Sequence, residues 1–388
     1  MAKLSIYLPP FAADYSGAAS MLFNLNCVNV IVDASCCTHN YISYDEPRWS
    51  TNASVTISAQ LRTLEATLGS DSRMLSQIQA AVKQTNAQCV SLIGTPVPAL
   101  VGMDLRGMAL ELENNLGLPV LAIDSTGFGT YNIGASNAQT ELLRKFLPPE
   151  ASTTQEIAGR GASSNSFNKS KSTAAGVNIL GACIHDYASA NTLEVLENFI
   201  CESGVETAFS TATPYELSNV SAAANSSESV VVSHSGIEPA RFLHKQFSVP
   251  YKAQVLKPAL LKLAGAGEFL EQAQEFASKA SGRLELLIIH DQIIANSLRD
   301  CLLEQLKQRG VQNQVQISIA SFFGIDAEFA QPGDFCVKDE ACLISYVKQH
   351  PSVAIAADGM LANIPQVKPH LCWQIKHWAV SSSAGESG

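Results

Sequence analysis

The amino-acid sequence predicts an α/β protein built from parallel sheets covered on both faces and divided into two or three domains. Two observations predict the class and a third the division. Short apolar runs of four to seven residues alternate with longer helical patterns from one end of the chain to the other. The runs are nearly continuous in apolar residues rather than alternating, as expected of strands buried on both sides. A chain of 388 residues is also too long for one ordinary core, at about 100–200 residues per domain.

In chain order the strands are expected at 28–32 (VNVIV), 89–94 (CVSLIG), 119–124 (PVLAID), 176–182 (GVNILGA), 229–234 (SVVVSH), 284–290 (LELLIIH), 315–320 (VQISIA) and 353–358 (VAIAAD). Helices lie between them, marked by their punctuation. Ala59–Leu68 is closed by Gly69, Thr192–Ser203 has Asn191 as N-cap and Gly204 beyond its end, and Ile294–Arg309 is closed by Gly310. A helix from Lys257 to Ser281 connects two sets of strands. Between Pro148 and Gly176 the composition turns to Ser, Thr, Asn, Gly and Lys, which buries too little apolar area to offset ordering entropy. The expected division is therefore 1–150 as the N-terminal α/β domain, 151–175 as linker or loop, 176–256 as a second domain, 257–282 as connecting helix, 283–380 as a third domain, and 381–388 as a disordered tail.

Composition excludes several classes of function. The net charge is -10 and no long Lys/Arg run occurs, so nucleic acid is not expected as the main partner. MAKLSIYLPPF lacks a positive region followed by a long apolar segment, and no apolar run reaches the roughly 18 residues of a membrane helix; a cytoplasmic protein with no membrane partner is expected. Ten cysteines without any CxxC spacing read as reduced thiols or metal ligands, not as a disulfide framework, zinc ribbon or thioredoxin site. With 46% hydrophobic and only 15% charged residues, the chain has apolar surface to bury against another subunit.

Ligands of open parallel sheets bind beyond the carboxyl ends of the strands. The polar residues expected there are Asp33 with Cys36, Cys37 and His39, then Thr95, Asp124, Cys183 with His185 and Asp186, His234 with Ser235, His290 with Asp291, and Asp358. Three such edges facing one cleft would pool the imidazoles of His39, His185, His234 and His290. The loop Gly127-Phe128-Gly129-Thr130 completes no GxGxxG and reads as a turn. No GxSxG, HExxH or P-loop pattern occurs, so a hydrolase elbow, zincin chemistry and intrinsic ATP hydrolysis have no sequence support.

The segments YLPPFAADYSGAASMLFNL, VDASCCTHNYISYDEPRW, LRTLEATLG, LIGTPVPALVGMDL and PVLAIDSTGFGTYNIGAS, in that order, resemble the N-terminal domain of the nitrogenase component 1 superfamily. That superfamily takes in the molybdenum-iron protein subunits, their cofactor-assembly homologues and dark-operative protochlorophyllide reductase. The similarity continues through VVVSHSGIEPARFL and LLIIHDQIIANSLRDCLLEQL. It implies three Rossmann-like domains with mainly parallel sheets around a central cleft. It also implies a homologous component 1-type partner subunit, in a heterodimer, heterotetramer or homodimer, and electrons from a separate ATP-dependent iron-sulfur reductase.

In that family three loop cysteines of one subunit hold an interface iron-sulfur cluster, and the matching positions here are Ala19, Cys37 and Thr95. The resemblance leaves two arrangements. In one, a paralogous partner supplies three cysteines and Cys37 is the fourth ligand of a shared 4Fe-4S cluster; in the other, a homodimer joins two Cys36–Cys37 pairs. The first is favoured, because adjacent cysteines rarely both reach one cluster without backbone strain. The family's large cofactor is attached through a Cys in the loop resembling VSHSG and through a distant His. Ser235 stands at that Cys position, and serine is a poor iron ligand beside a thiolate. No iron-molybdenum cofactor and no dinitrogen reduction are expected. The implied function is a nitrogenase-like oxidoreductase subunit whose cleft takes another metallocluster or an organic substrate, with His185, His234 and His290 as proton donors or polar anchors. The alternative is a metallocluster or metal-complex scaffold that has lost the redox cluster.

Overall fold

The computed structural model describes residues 5–50, 55–62, 72–85, 87–147, 176–187, 189–202, 204–279, 283–311 and 315–381. The first sheet is built from β1 (Cys27–Ile31), β2 (Val55–Ser58), β3 (Cys89–Ile93) and β4 (Val120–Ile123), in the order β2-β1-β3-β4. The second uses β5 (Val177–Leu180), β6 (Thr207–Ser210), β7 (Glu228–Val231) and β8 (Tyr251–Ala253), in the order β6-β5-β7-β8. The third uses β9 (Leu284–Ile289), β10 (Val315–Ser321), β11 (Phe335–Cys336), β12 (Ala354–Ala357) and β13 (Cys372–Gln374), in the order β11-β10-β9-β12-β13. Every pairing between these strands is parallel. The α/β class with parallel sheets expected from the sequence is therefore what the chain adopts.

Each sheet grows first to one side and then to the other. Its strand order reverses between β1 and β3, between β5 and β7, and between β9 and β12. At such a switch point adjacent loops diverge and leave a crevice. The loops concerned carry Asp33 to Cys37 and Thr95, then Cys183 to Asp186 and Ser233 to Ser235, then His290, Asp291 and Asp358. Topology alone thus gathers most of the polar residues singled out at strand ends.

Side-chain alternation along β1 sorts the core. Val28, Val30 and Val32 pack with Val90, Leu92, Met74, Ile78 and Leu112 on one face. Cys27 and Ile31 join the larger core that continues through the second and third sheets, as a period of two requires. The helix Asp14–Met21 is buried along its whole length. It crosses the helix Tyr131–Phe146 where Gly17 meets the Tyr131 carbonyl and Gly134 meets the Asp14 carbonyl, leaving no room for a Cβ at either glycine.

The structure departs from the expected elements in several places. The connecting helix 257–282 is two helices, Lys257–Lys262 and Ala266–Lys279. Gly265 breaks it with φ +87, its Cα packed on the Gln374 carbonyl, a conformation glycine adopts without a Cβ penalty. The helix expected to start at Thr192 begins at Ala190, so Asn191 lies inside it. The next expected start, Ile294, is preceded by a first turn from Gln292, because Asp291 accepts from the N–H groups of Ile293 and Ile294 and is the cap. Of the helix expected over Ala59–Leu68, residues 59–62 are not helical and the remainder lies outside the described residues. The linker 151–175 and the tail from 382 onward also lie outside them; Ser381 closes a short helix, Trp378–Ser381.

Candidate functional site

The first candidate region grows from the end of β1. Asp33 is fully buried and its carboxylate accepts from the Thr38 N–H at 2.8 Å, the Thr38 hydroxyl at 3.1 Å and the Ser58 hydroxyl at 2.6 Å. These bonds tie the loop back onto the short helix Cys36–Asn40, entered through Ser35 in a left-handed conformation with φ 92. Cys36 is exposed and Cys37 buried, with their sulfurs 4.0 Å apart. One carboxylate oxygen of Asp33 and both sulfurs lie within 4.8 Å of one another. Burial first, then the neighbouring Cys36 and Asp33, push the Cys37 thiol up to about 12. Without a cation it stays protonated at neutral pH.

The other loops of this sheet close around that motif. Thr95 donates its hydroxyl to the Val32 carbonyl at 2.7 Å, so its loop abuts the thiol loop directly. Ala19 is fully buried on the helix whose Asp14 carboxylate accepts from the N–H groups of Thr126, at 2.9 Å, and Gly127, at 2.7 Å. Those amides are thereby spent on a turn, as the incomplete glycine pattern suggests. Gly127 has φ +75 and packs on the Pro96 ring, which sets Phe128 beside the helix Pro96–Val101. Phe128 on that turn and Leu100 and Val101 on that helix are 73%, 75% and 49% exposed, an apolar surface on the elements that follow β3 and β4. A four-thiolate cluster does not fit this chain alone, because Ala19 and Thr95 offer no sulfur. One corner of a set shared with a second chain does fit.

The second region is a polar junction where all three sheets contribute. Tyr131, fully buried, donates its hydroxyl to Asp186, and the same oxygen is 3.3 Å from His377 Nε2. The Tyr131 ring stacks on His185 at 5.0 Å between centroids. The His377 ring packs against His290 at 4.4 Å and Phe323 at 4.7 Å, while the His377 backbone N–H donates to Asp358 at 2.9 Å. His290 Nε2 lies 3.2 Å from the Lys376 carbonyl, so Nε2 carries the proton.

Burial pushes His185 and His290 down to about 4, and burial with the adjacent His290 holds His377 well below the usual imidazole range. All three are neutral at pH 7. Asp186 is raised by burial and then by Asp291. Buried nitrogens of His185 (Nε2), His290 (Nδ1) and His377 (Nδ1), and Oδ2 of Asp186, have no hydrogen-bond partner among the described residues. The space bounded by Ile289, His290, Phe322, Phe323, Leu361, His377 and Val380 is too narrow for a water molecule. The junction is closed.

Of the four histidines expected to share a cleft, the structure brings His185 and His290 together through Tyr131 and His377. His234 stands at the margin: its N–H donates to Asp291 at 2.9 Å and its ring nitrogen Nδ1 is 3.3 Å from the Asn132 amide nitrogen. Ser235 is buried with its hydroxyl 2.7 Å from that of Ser233. His39 remains with Ser43 and Tyr44 on the thiol loop. Sequence reasoning missed Tyr131 and His377. The available signals were a helix start after GFGT for Tyr131, and for His377 a polar residue after CWQ, a strand too short to stand out as an apolar run.

Comparison with known proteins places this geometry in a family. The nitrogenase iron-molybdenum cofactor biosynthesis protein NifE of Clostridium pasteurianum is 20% identical over 297 residues, which is 70% of this chain and 60% of that protein. The match thus spans less than two thirds of that relative's length. Solved structures described as nitrogenase Cp1 at pH 6.5 and at pH 5 superpose with TM-scores of 0.66 and 0.62 at 10% and 12% identity. They cover 98% and 97% of this chain, and 90% and 85% of theirs. At that identity they show the fold. The family described as nitrogenase component 1 type oxidoreductase matches residues 14–295, well over half of the chain, and the protein belongs to it.

Proposed function

We propose that the chain is a subunit of a nitrogenase-like redox assembly, paired with a homologous component 1-type subunit that carries the missing cysteines. The thiol loop carries this reading. Cys37 stands at a switch point with Ala19 and Thr95 at the two other family positions, and the helix that follows Thr95 exposes Leu100 and Val101. A shared 4Fe-4S cluster, when bound, would supply one-electron storage fed by an ATP-dependent iron-sulfur reductase. This chain would hold one corner through Cys37 and exclude water through Tyr15, which is buried beside that thiol. The substrate or metallocluster that receives the electrons would bind at the margin of the three-sheet junction, beside His234, while His185, His290 and His377, closed off even from water, would brace that margin as neutral hydrogen-bonding groups. Dinitrogen reduction is not part of the proposal, because Ser235 supplies no thiolate.

A second reading, a metallocluster scaffold without its own redox cluster, is favoured by the likeness to a cofactor biosynthesis protein and by the same absent thiols. Iron and acid-labile sulfide per chain, measured without oxygen on the protein alone and co-purified with a three-cysteine homologue, separate the two. The redox reading expects little iron alone and cluster-level iron in the complex, lost in Cys37→Ala. Cluster iron unchanged in that variant, or absent from the complex, would overturn it; the latter result leaves the scaffold.

A further inference from the structure

We propose that Asp33, Cys36 and Cys37 form a binding site for a single thiophilic divalent ion of the Zn2+ type, with its remaining coordination position open toward solvent. The site goes beyond the shared-cluster reading, which uses Cys37 alone; Cys36 and Asp33 are at none of the three family ligand positions. The sulfur separation matches a single ion. Two thiolates on one tetrahedral zinc at about 2.3 Å from the metal lie about 3.8 Å apart, and the sulfurs here are 4.0 Å apart before any ion is bound. Thiolates on different irons of a cluster point outward from separate corners and diverge more widely. The observed pair has the spacing of ligands to one ion.

Asp33 supplies the third ligand. One of its carboxylate oxygens lies within 4.8 Å of both sulfurs, and its orientation is held by hydrogen bonds from Thr38 and Ser58. Oδ2 accepts only the Thr38 N–H among the hydrogen bonds seen, so a lone pair remains for a metal. Such outer partners fix a ligand's orientation at metal sites. A burial gradient sets the direction of entry: Asp33 and Cys37 are buried while Cys36 is exposed, so the ion enters from the Cys36 side. Three protein ligands with one open position suit exchange or transfer of the ion better than a purely structural role. Two thiolates and a carboxylate favour Zn2+ over Mg2+ or Ca2+, which require oxygen donors.

The test uses the full chain, stripped of metal under reducing conditions. Zn2+ is titrated against a chromophoric chelator, and Co2+ serves as a spectroscopic probe whose visible absorption distinguishes tetrahedral thiolate from octahedral oxygen coordination. The expected result is one equivalent per chain with a tetrahedral thiolate spectrum. Cys36→Ser should weaken Zn2+ binding at least 100-fold, and Asp33→Asn about 10- to 100-fold. Because Asp33 also braces the loop, the exposed Cys36 is the deciding position, with thermal unfolding of the metal-free variant as a control for folding. Sub-stoichiometric Zn2+, an octahedral Co2+ spectrum, or wild-type affinity in folded Cys36→Ser would overturn the proposal. Iron in the co-purified complex tells the two readings apart: Cys36→Ser should leave it intact and Cys37→Ala should remove it.

Discussion

His290 sits between the Lys376 carbonyl and the His377 ring with no water-sized space beside it, and burial accounts for its neutral state. Its pKa falls from 6.5 in the unfolded chain to about 4 in the folded one. Between those values the unfolded chain binds the additional proton, so stability drops as pH is lowered through this window. The contribution is whole above pH 6.5 and gone near pH 4, on the order of 3 kcal/mol. Asp186 and Asp291, raised by burial, act with the opposite sign, so the comparison needs a variant that changes His290 alone. Urea midpoints of the wild type should fall more steeply from pH 6.5 to 4 than those of His290→Asn; parallel curves would show that His290 is not the buried neutral group described. The position of His290 after a strand was legible from LELLIIH. Its neighbours were not, because His377 belongs to a loop remote in sequence.

Secondary-structure elements divide by position in their sheets. All eight apolar runs became strands, and the five strands without such a run, β2, β6, β8, β11 and β13, are each at a sheet edge. An edge strand has one neighbour and is often half-exposed, so VTIS, TAFS, YKA, FC and CWQ carry too little apolar signal to stand out. Helix crossings are equally hidden from local pattern. Gly17 and Gly134 look like ordinary small residues in SGAAS and NIGAS, yet each lets one helix backbone touch the other. Gly17→Ala is expected to cost about 3 kcal/mol or more, since the added methyl meets backbone rather than a movable side chain. It should also shift Tyr131, which near-ultraviolet circular dichroism would register. A loss below about 0.5 kcal/mol would mean that the two helices can separate freely.

Across the whole molecule, residues distant in sequence tie the first sheet's surroundings to the third. The N–H groups of Ile6, Tyr7 and Leu8 converge on the Glu340 carboxylate at 3.1, 2.8 and 2.9 Å. Further on, Ala12 N–H donates to the Ala379 carbonyl, and Trp378 Nε1–H to that of Asp45. Glu340→Ala removes three charge-assisted bonds from a surface arm. Amides of residues 6–8 should exchange at least 10-fold faster, with strands β9 and β12 unchanged, because arm opening is a local event; unaltered exchange at the arm would show that other contacts hold it. The sequence by itself determined the α/β class, the interior strands and the thiol loop. A doubly covered strand writes its environment into consecutive residues, and DASCC is contiguous. Only tertiary structure decided that His377 meets Tyr131 across 246 positions, that Asp33 turns toward both sulfurs, and that the three-sheet junction is closed. Those distances depend on how separately formed sheets pack, and no short-range pattern encodes that packing.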